Sequence, residues 1–190
     1  MTARRFQVRV GALHSIGVIV PEFRPTHLLG ILDPLTPEPA VYGHEPHSRT
    51  TLLLRFQDVD QVQPDGPRAE HVERIIAFAD QVRDAHARAP ARLLVHCHAG
   101  ISRSTASIYI TLARDFGVER ADEAFRQLLR VAVNPWPNRR LVALADEALG
   151  ARGRLLAPLD AYRDANIDRF ESMMAYHRLL LEAAQPDTSD

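Results

Sequence analysis

Apolar and polar residues alternate through Phe6-Gln-Val-Arg-Val10, the two-residue period of a half-buried strand. Two later runs lose the alternation and stay apolar: Thr26–Asp33, which ends in Asp-Pro, and Arg92–His96. Runs of this kind fit strands buried on both faces of a parallel sheet. Thr50–Phe56 is a fourth strand candidate. From Arg68 to Arg88 the period changes. Val72, Ile75, Ile76, Ala79 and Val82 recur at three- and four-residue steps, which predicts a helix with one buried face. After residue 98 the helical period dominates. Ser102–Phe116 places Ala106, Ile110, Leu112 and Ala113 inward and has Gly117 as its stop. Ala121–Val131 sets Phe125, Leu128 and Leu129 on one side. Asn138 can cap a helix that runs to about Leu149. Leu155–Tyr162 and Asp168–Ala184 read as two more helices. In the second, Phe170, Met173, Tyr176, His177, Leu180 and Leu181 form an apolar stripe. His14–Phe23, bounded by Pro21 and Pro25, fits a loop or a short helix. Pro34, Pro37, Pro39, Gly43 and Pro46 make 34–48 a surface loop, with His44 and His47 as exposed loop histidines. Strands first, helices later and a strand–loop–helix unit between them predict an α/β domain. Its sheet would be largely parallel.

The chain has 190 residues, enough for one domain with a substantial core. We place that domain at 1–156, with a helical extension at 157–190 that packs on it or meets a partner. A formal net charge of −1 gives no reason to expect nucleic acid or an anionic membrane as partner. No apolar run approaches the ~18–20 residues of a membrane span. Gly11–Val20 follows Arg4 and Arg5, but His14 and Ser15 interrupt it and Pro21 ends it, so it makes a poor signal peptide. Cys97 is the only cysteine, which rules out an intrachain disulfide and implies nothing of an oxidising compartment. A cytoplasmic location is the default expectation.

The chemistry concentrates in Leu93-Leu-Val-His-Cys-His-Ala-Gly-Ile-Ser-Arg-Ser-Thr105. An apolar strand, a tight loop and a helix follow one another, with Cys97 where strand gives way to loop. A phosphate monoester carries about two negative charges near neutral pH and needs many convergent donors. Consecutive main-chain N–H groups in a loop that opens onto a helix N-terminus supply them. His98, Ala99, Gly100, Ile101 and Ser102 would form that cradle, and Gly100 can take a positive φ. The guanidinium of Arg103 can grip two phosphate oxygens at once. The same donors favour the thiolate of Cys97, which would attack phosphorus in line to give a phosphocysteine. Ser104 can donate to the sulfur and ease its departure. His96 would hold the loop. His96, Cys97 and His98 do not make a zinc site, because neighbours on a strand point to opposite faces.

His96-Cys97-x5-Arg103-Ser104 resembles the signature of the cysteine-dependent protein tyrosine phosphatases, and Ala99-Gly-Ile-Ser-Arg-Ser104 resembles its dual-specificity branch. Leu54-Arg-Phe-Gln-Asp-Val59, His71-Val72, Pro137-Asn138 and Leu144–Gly150 extend a similarity to small bacterial members over roughly 50–156. The resemblance implies the α/β phosphatase fold, with a central, mostly parallel sheet flanked by helices, a signature loop at the C-terminal edge of the sheet, and no metal or other cofactor. It also implies an aspartic acid, on a loop before the signature, that protonates the leaving group and later activates water. Asp58 ends a strand candidate and is our first assignment; Asp65, in Asp-Gly-Pro, and Asp60 are the alternatives. The expected activity is hydrolysis of phosphotyrosine or phosphoserine/threonine in a protein. A non-protein phosphate, such as an inositol phosphate or an RNA 5′-phosphate, is the second possibility. A catalytically silent phosphoprotein-binding module is the third.

Overall fold

The computed structural model describes residues 6–42 and 49–183, with side chains as far as residue 176. The expectations for His44 and His47, and for the stripe from His177 onward, fall outside those residues. The chain divides into two compact units, Met1–Leu159 and Asp160–Asp190. The first unit holds the sheet. Its strands are β1 (Gln7–Ala12), β2 (His27–Leu32), β3 (Thr50–Arg55) and β4 (Arg92–Cys97). All pairings are parallel, in the order β1-β4-β2-β3. This order explains the sequence pattern. Interior strands β2 and β4 are buried on both faces and read as continuous apolar runs. Edge strand β1 is part-exposed and keeps its alternation.

Side chains leave β2 on alternate faces. Leu28 packs with Leu94 against Ile16 of α1 (Ile16–Phe23). His27 turns to the other face, its ring 5.8 Å from Phe78 of α2 (Ala69–His86). That second face also carries α3 (Arg103–Phe116), which packs on β4 and is surrounded by α2, α4 (Ala121–Val131) and α5 (Arg139–Ala148). Ala106, Ile110, Leu112 and Ala113 of α3 are buried as expected, and so is every other residue of the helix except Arg114 and Asp115, because helices enclose it as well as the sheet. Two of its buried hydroxyls are satisfied within the helix. Ser107 donates to the Arg103 carbonyl (2.9 Å) and Thr111 to the Ser107 carbonyl (2.8 Å).

The segment expected as a loop or a short helix is a short 3₁₀ turn followed by α1, which ends at Phe23 and runs through Pro21. A proline costs such a short helix one internal hydrogen bond, and Arg24 then ends it in the left-handed conformation (φ 48°). The two helices expected after residue 155 are one, α6 (Leu156–Ala183), since nothing between Arg163 and Ile167 breaks a helix. Asn138 caps α5 as expected, accepting from the Leu141 N–H at 2.8 Å.

Candidate active site

β4 carries the nucleophile candidate to the C-terminal edge of the sheet, where open α/β sheets bind ligands. Cys97 is its last residue and is only 1% exposed. Its Sγ lies 3.1 Å from the Ser104 Oγ in the first turn of α3. His96 points to the opposite face and is hydrogen-bonded through Nε2 to the Tyr42 hydroxyl. Burial pushes the His96 imidazole down to about 4, with a smaller opposing influence from the Cys97 main chain, so this ring is neutral near pH 7.

The loop 98–102 is tied to its surroundings through carbonyls. His98 accepts from the Leu13 N–H (3.0 Å), Ile101 from Trp136 (2.9 Å), and Ser102 from Ala106 (2.9 Å) and Asn138 (3.4 Å). The main-chain N–H groups of His98 through Ser102 donate to no other group among the described residues. Five successive amides are thus left for a ligand at the N-terminus of a helix, which is how anions are held without a cation cage. Gly100 makes the curve possible. Its φ is +74°, and a Cβ there would lie 2.9 Å from the Gly11 carbonyl oxygen.

Arg103 closes the loop and is almost wholly buried (2% exposed). Its Nη1 donates to Asp33 Oδ1 at 2.7 Å and to the Phe56 carbonyl at 2.6 Å. Its buried Nε makes no hydrogen bond, although Asp58 Oδ2 is 3.5 Å away. The Asp58 carboxylate is anchored through its other oxygen. Oδ1 accepts from the Ser102 hydroxyl (2.6 Å) and from Asn138 Nδ2 (2.9 Å).

The structure therefore pairs Cys97 with Ser104 and Arg103 with Asp58 at the two ends of the loop. Ser102, expected in the cradle, is there through its main chain while its hydroxyl goes to Asp58. His98 and Ala99 are exposed. The other two aspartates have different work. Asp60 caps the first turn of α5, accepting from the Arg139 N–H (2.9 Å) and the Arg140 N–H (3.4 Å). Asp65 is exposed and closes its own loop through its carbonyl, which accepts from the Gln57 N–H at 2.7 Å. Sequence reasoning missed Asp33 as a partner of Arg103 and Asn138 as an anchor of Asp58. The Asp-Pro at the end of β2 was the one available signal for the first. Among the described residues, no group of three or more His, Cys, Asp or Glu side chains could hold a metal ion, and no helix is long and apolar enough to cross a membrane. A cleft of about 740 Å³, lined by Val20, Pro21, Arg24, Val41, Arg49 and Arg92 among others, opens near the other end of the strands. It does not serve Cys97.

No family model matches the chain, and no curated protein is significantly similar to it. Solved structures are. Human DUSP28 superposes with a TM-score of 0.55 at 20% identity, over 76% of this chain and 94% of that one. The Yvh1 phosphatase domain from Chaetomium thermophilum gives 0.56 at 20% identity, over 80% and 95%. The human tyrosine phosphatase-like serine/threonine/tyrosine-interacting protein gives 0.51 at 21% identity, over 75% and 91%. The fold is that of the dual-specificity phosphatases. Within this fold the loop from Cys97 to Arg103 lies between β4 and α3.

Proposed function

We propose that the protein is a cysteine-dependent phosphomonoesterase acting on phosphotyrosine or phosphoserine/threonine in a protein. The observation that carries this reading is a single strand–loop–helix unit that holds the buried Cys97 sulfur, five undonated amides and the buried Arg103 Nε, which makes no hydrogen bond. In the first step the Cys97 thiolate attacks phosphorus. The ester P–O bond breaks as the S–P bond forms, and Asp58 gives its proton to the leaving oxygen. Arg103 and the loop amides hold the three equatorial oxygens, where charge is spread in the transition state. In the second step Asp58 takes a proton from water. The water oxygen displaces sulfur from phosphorus, the Ser104 hydroxyl stabilises the departing thiolate, and inorganic phosphate leaves.

One feature favours Asp58 as the acid over Asp65 and Asp60. Its Oδ1 is held by two donors, which leaves Oδ2 on the side of Arg103. For substrate class, the loop interior contributes no Lys or second Arg. That lack of added positive charge supports a phosphoprotein over a polyphosphoinositide or RNA.

The test is turnover of p-nitrophenyl phosphate without added metal. Hydrolysis by wild type, lost by at least about 10³-fold in Cys97→Ser and in Arg103→Ala, supports the reading. Folded wild-type protein that binds phosphopeptides but turns over nothing between pH 5 and 8 would make it a binding module.

A further inference from the structure

We infer that Asp33 is a positioning residue for phosphate binding, holding the Arg103 guanidinium by its far edge so that the near edge meets the substrate. The inference rests on the phosphatase reading above. β2 lies between β4, which ends at the nucleophile, and β3, which leads to Phe56 and Asp58. The first residue after β2 is Asp33, so the topology delivers its carboxylate to the same sheet edge as Cys97.

A guanidinium is planar, and its orientation is set by what its nitrogens touch. Here Nη1 is held by two acceptors from neighbouring strand ends, Asp33 Oδ1 at 2.7 Å and the Phe56 carbonyl at 2.6 Å. That fixes the plane. Nε, on the edge facing away from Nη1, is left buried without a hydrogen bond. Asp58 Oδ2 stands 3.5 Å from it without making a hydrogen bond. A buried charged donor that lacks a hydrogen bond is costly unless a ligand supplies one. Nε and Nη2 together form the fork that takes two oxygens of one phosphate.

The turn bearing Asp33 is itself fixed. The Thr36 N–H donates to the Asp33 carbonyl at 3.0 Å. Arg55 donates from Nη1 to the carbonyls of Asp33, Pro34 and Thr36 at 3.4, 3.3 and 2.7 Å. Arg55 is the last residue of β3 and stands in register with Leu32 of β2, so the support comes from the sheet. Asp33 therefore does more than balance charge: it fixes the rotation of Arg103 before substrate arrives.

The experiment compares wild type, Asp33→Asn and Asp33→Ala for aryl phosphate turnover, calorimetric binding of tungstate, and thermal unfolding. Asn keeps an acceptor for Nη1 and removes the charge; Ala removes both. Asp33→Ala is expected to lower kcat by about 10- to 100-fold while KM changes less, and to weaken tungstate by about tenfold. Asp33→Asn should return both to within about threefold of wild type. Should Asp33→Ala not fold, Asp33→Ser, whose hydroxyl is too short to reach Nη1, takes its place. Unchanged kcat and tungstate affinity in the Ala or Ser variant overturn the inference. So does tighter tungstate binding, which would make the carboxylate a competitor of phosphate. A wild type inert toward aryl phosphate would count against the phosphatase reading instead, and the tungstate affinities would still judge Asp33.

Discussion

At the scale of single residues, the sharpest question is which carboxylate serves the signature loop, and geometry gives Asp58 and Asp65 different prospects. Asp58 Oδ1 is tied to Ser102 in the loop and to Asn138 behind it, so the side chain is aimed before substrate binds. Asp65 contributes a carbonyl to its own turn and leaves its side chain exposed. A general acid matters in proportion to the basicity of the leaving group. Asp58→Asn is therefore expected to lower kcat for phenyl phosphate, a poor leaving group, by about 100-fold or more, and for a far more acidic phenol by much less. Asp65→Asn should stay within a few-fold of wild type on both. The opposite order of the two variants on phenyl phosphate would move the acid role to Asp65.

At the scale of elements, what was legible in the sequence was what neighbouring residues decide among themselves. β2 and β4 were readable as unbroken apolar runs because both are interior strands, and 97–104 because its cysteine, loop, guanidinium and hydroxyl are contiguous. The contacts that could not be read join ordinary-looking residues far apart: Arg103 to Asp33 across 70 positions, Asn138 to Asp58 across 80, His96 to Tyr42 across 54. Only the parallel order β1-β4-β2-β3 brings them together. The burial of α3 on nearly all sides was hidden for the same reason, since the helices around it are set by tertiary packing. Gly30 in the middle of β2 belongs to this class. It pairs with His96, and a Cβ there would fall 1.7 Å from the Tyr42 hydroxyl and 2.8 Å from His96 Nε2. A strand interior normally disfavours glycine, so this one is kept for the room it leaves. Gly30→Ala is expected to cost about 1–3 kcal/mol by urea unfolding, the usual cost of overpacking. Removing the obstructing ring in Gly30→Ala/Tyr42→Ala should make the glycine substitution itself cost less than it does with Tyr42 present. An equal cost in both backgrounds would mean that the ring is not what the glycine accommodates.

At the scale of the whole molecule, the fold encloses three histidines whose charged forms it disfavours, and this couples its stability to pH. His96 is fully buried in β4 and pushed down to about 4 by burial. His27, in β2 against Phe78, and His71, stacked on Phe56 with ring centroids 4.5 Å apart, are lowered as well, burial being the main cause for both. Each is freer to take a proton in the unfolded chain, where the ordinary value of ~6.5 applies. Between that value and the lowered native one, the unfolded state binds more protons, so stability rises with pH. The contribution is fully present above about pH 6.5, declines as the solution is acidified, and levels off once the native imidazole also charges. For His96 alone the difference between pH 7 and pH 4.5 comes to roughly 2–3 kcal/mol, a substantial part of the ~5–15 kcal/mol that holds a domain together. Asp80, held below its usual range chiefly by its hydrogen bond from Arg114, loses its contribution only at lower pH and leaves this window clear. Urea unfolding at pH 7 and pH 4.5 should thus show wild type losing stability on acidification, and His96→Asn, though weaker at pH 7, losing roughly 2–3 kcal/mol less between the two. A loss as large in His96→Asn as in wild type would assign the acid sensitivity to His27, His71 or groups outside the sheet, and would mean that the His96 imidazole charges in the folded protein without disturbing its contact with Tyr42.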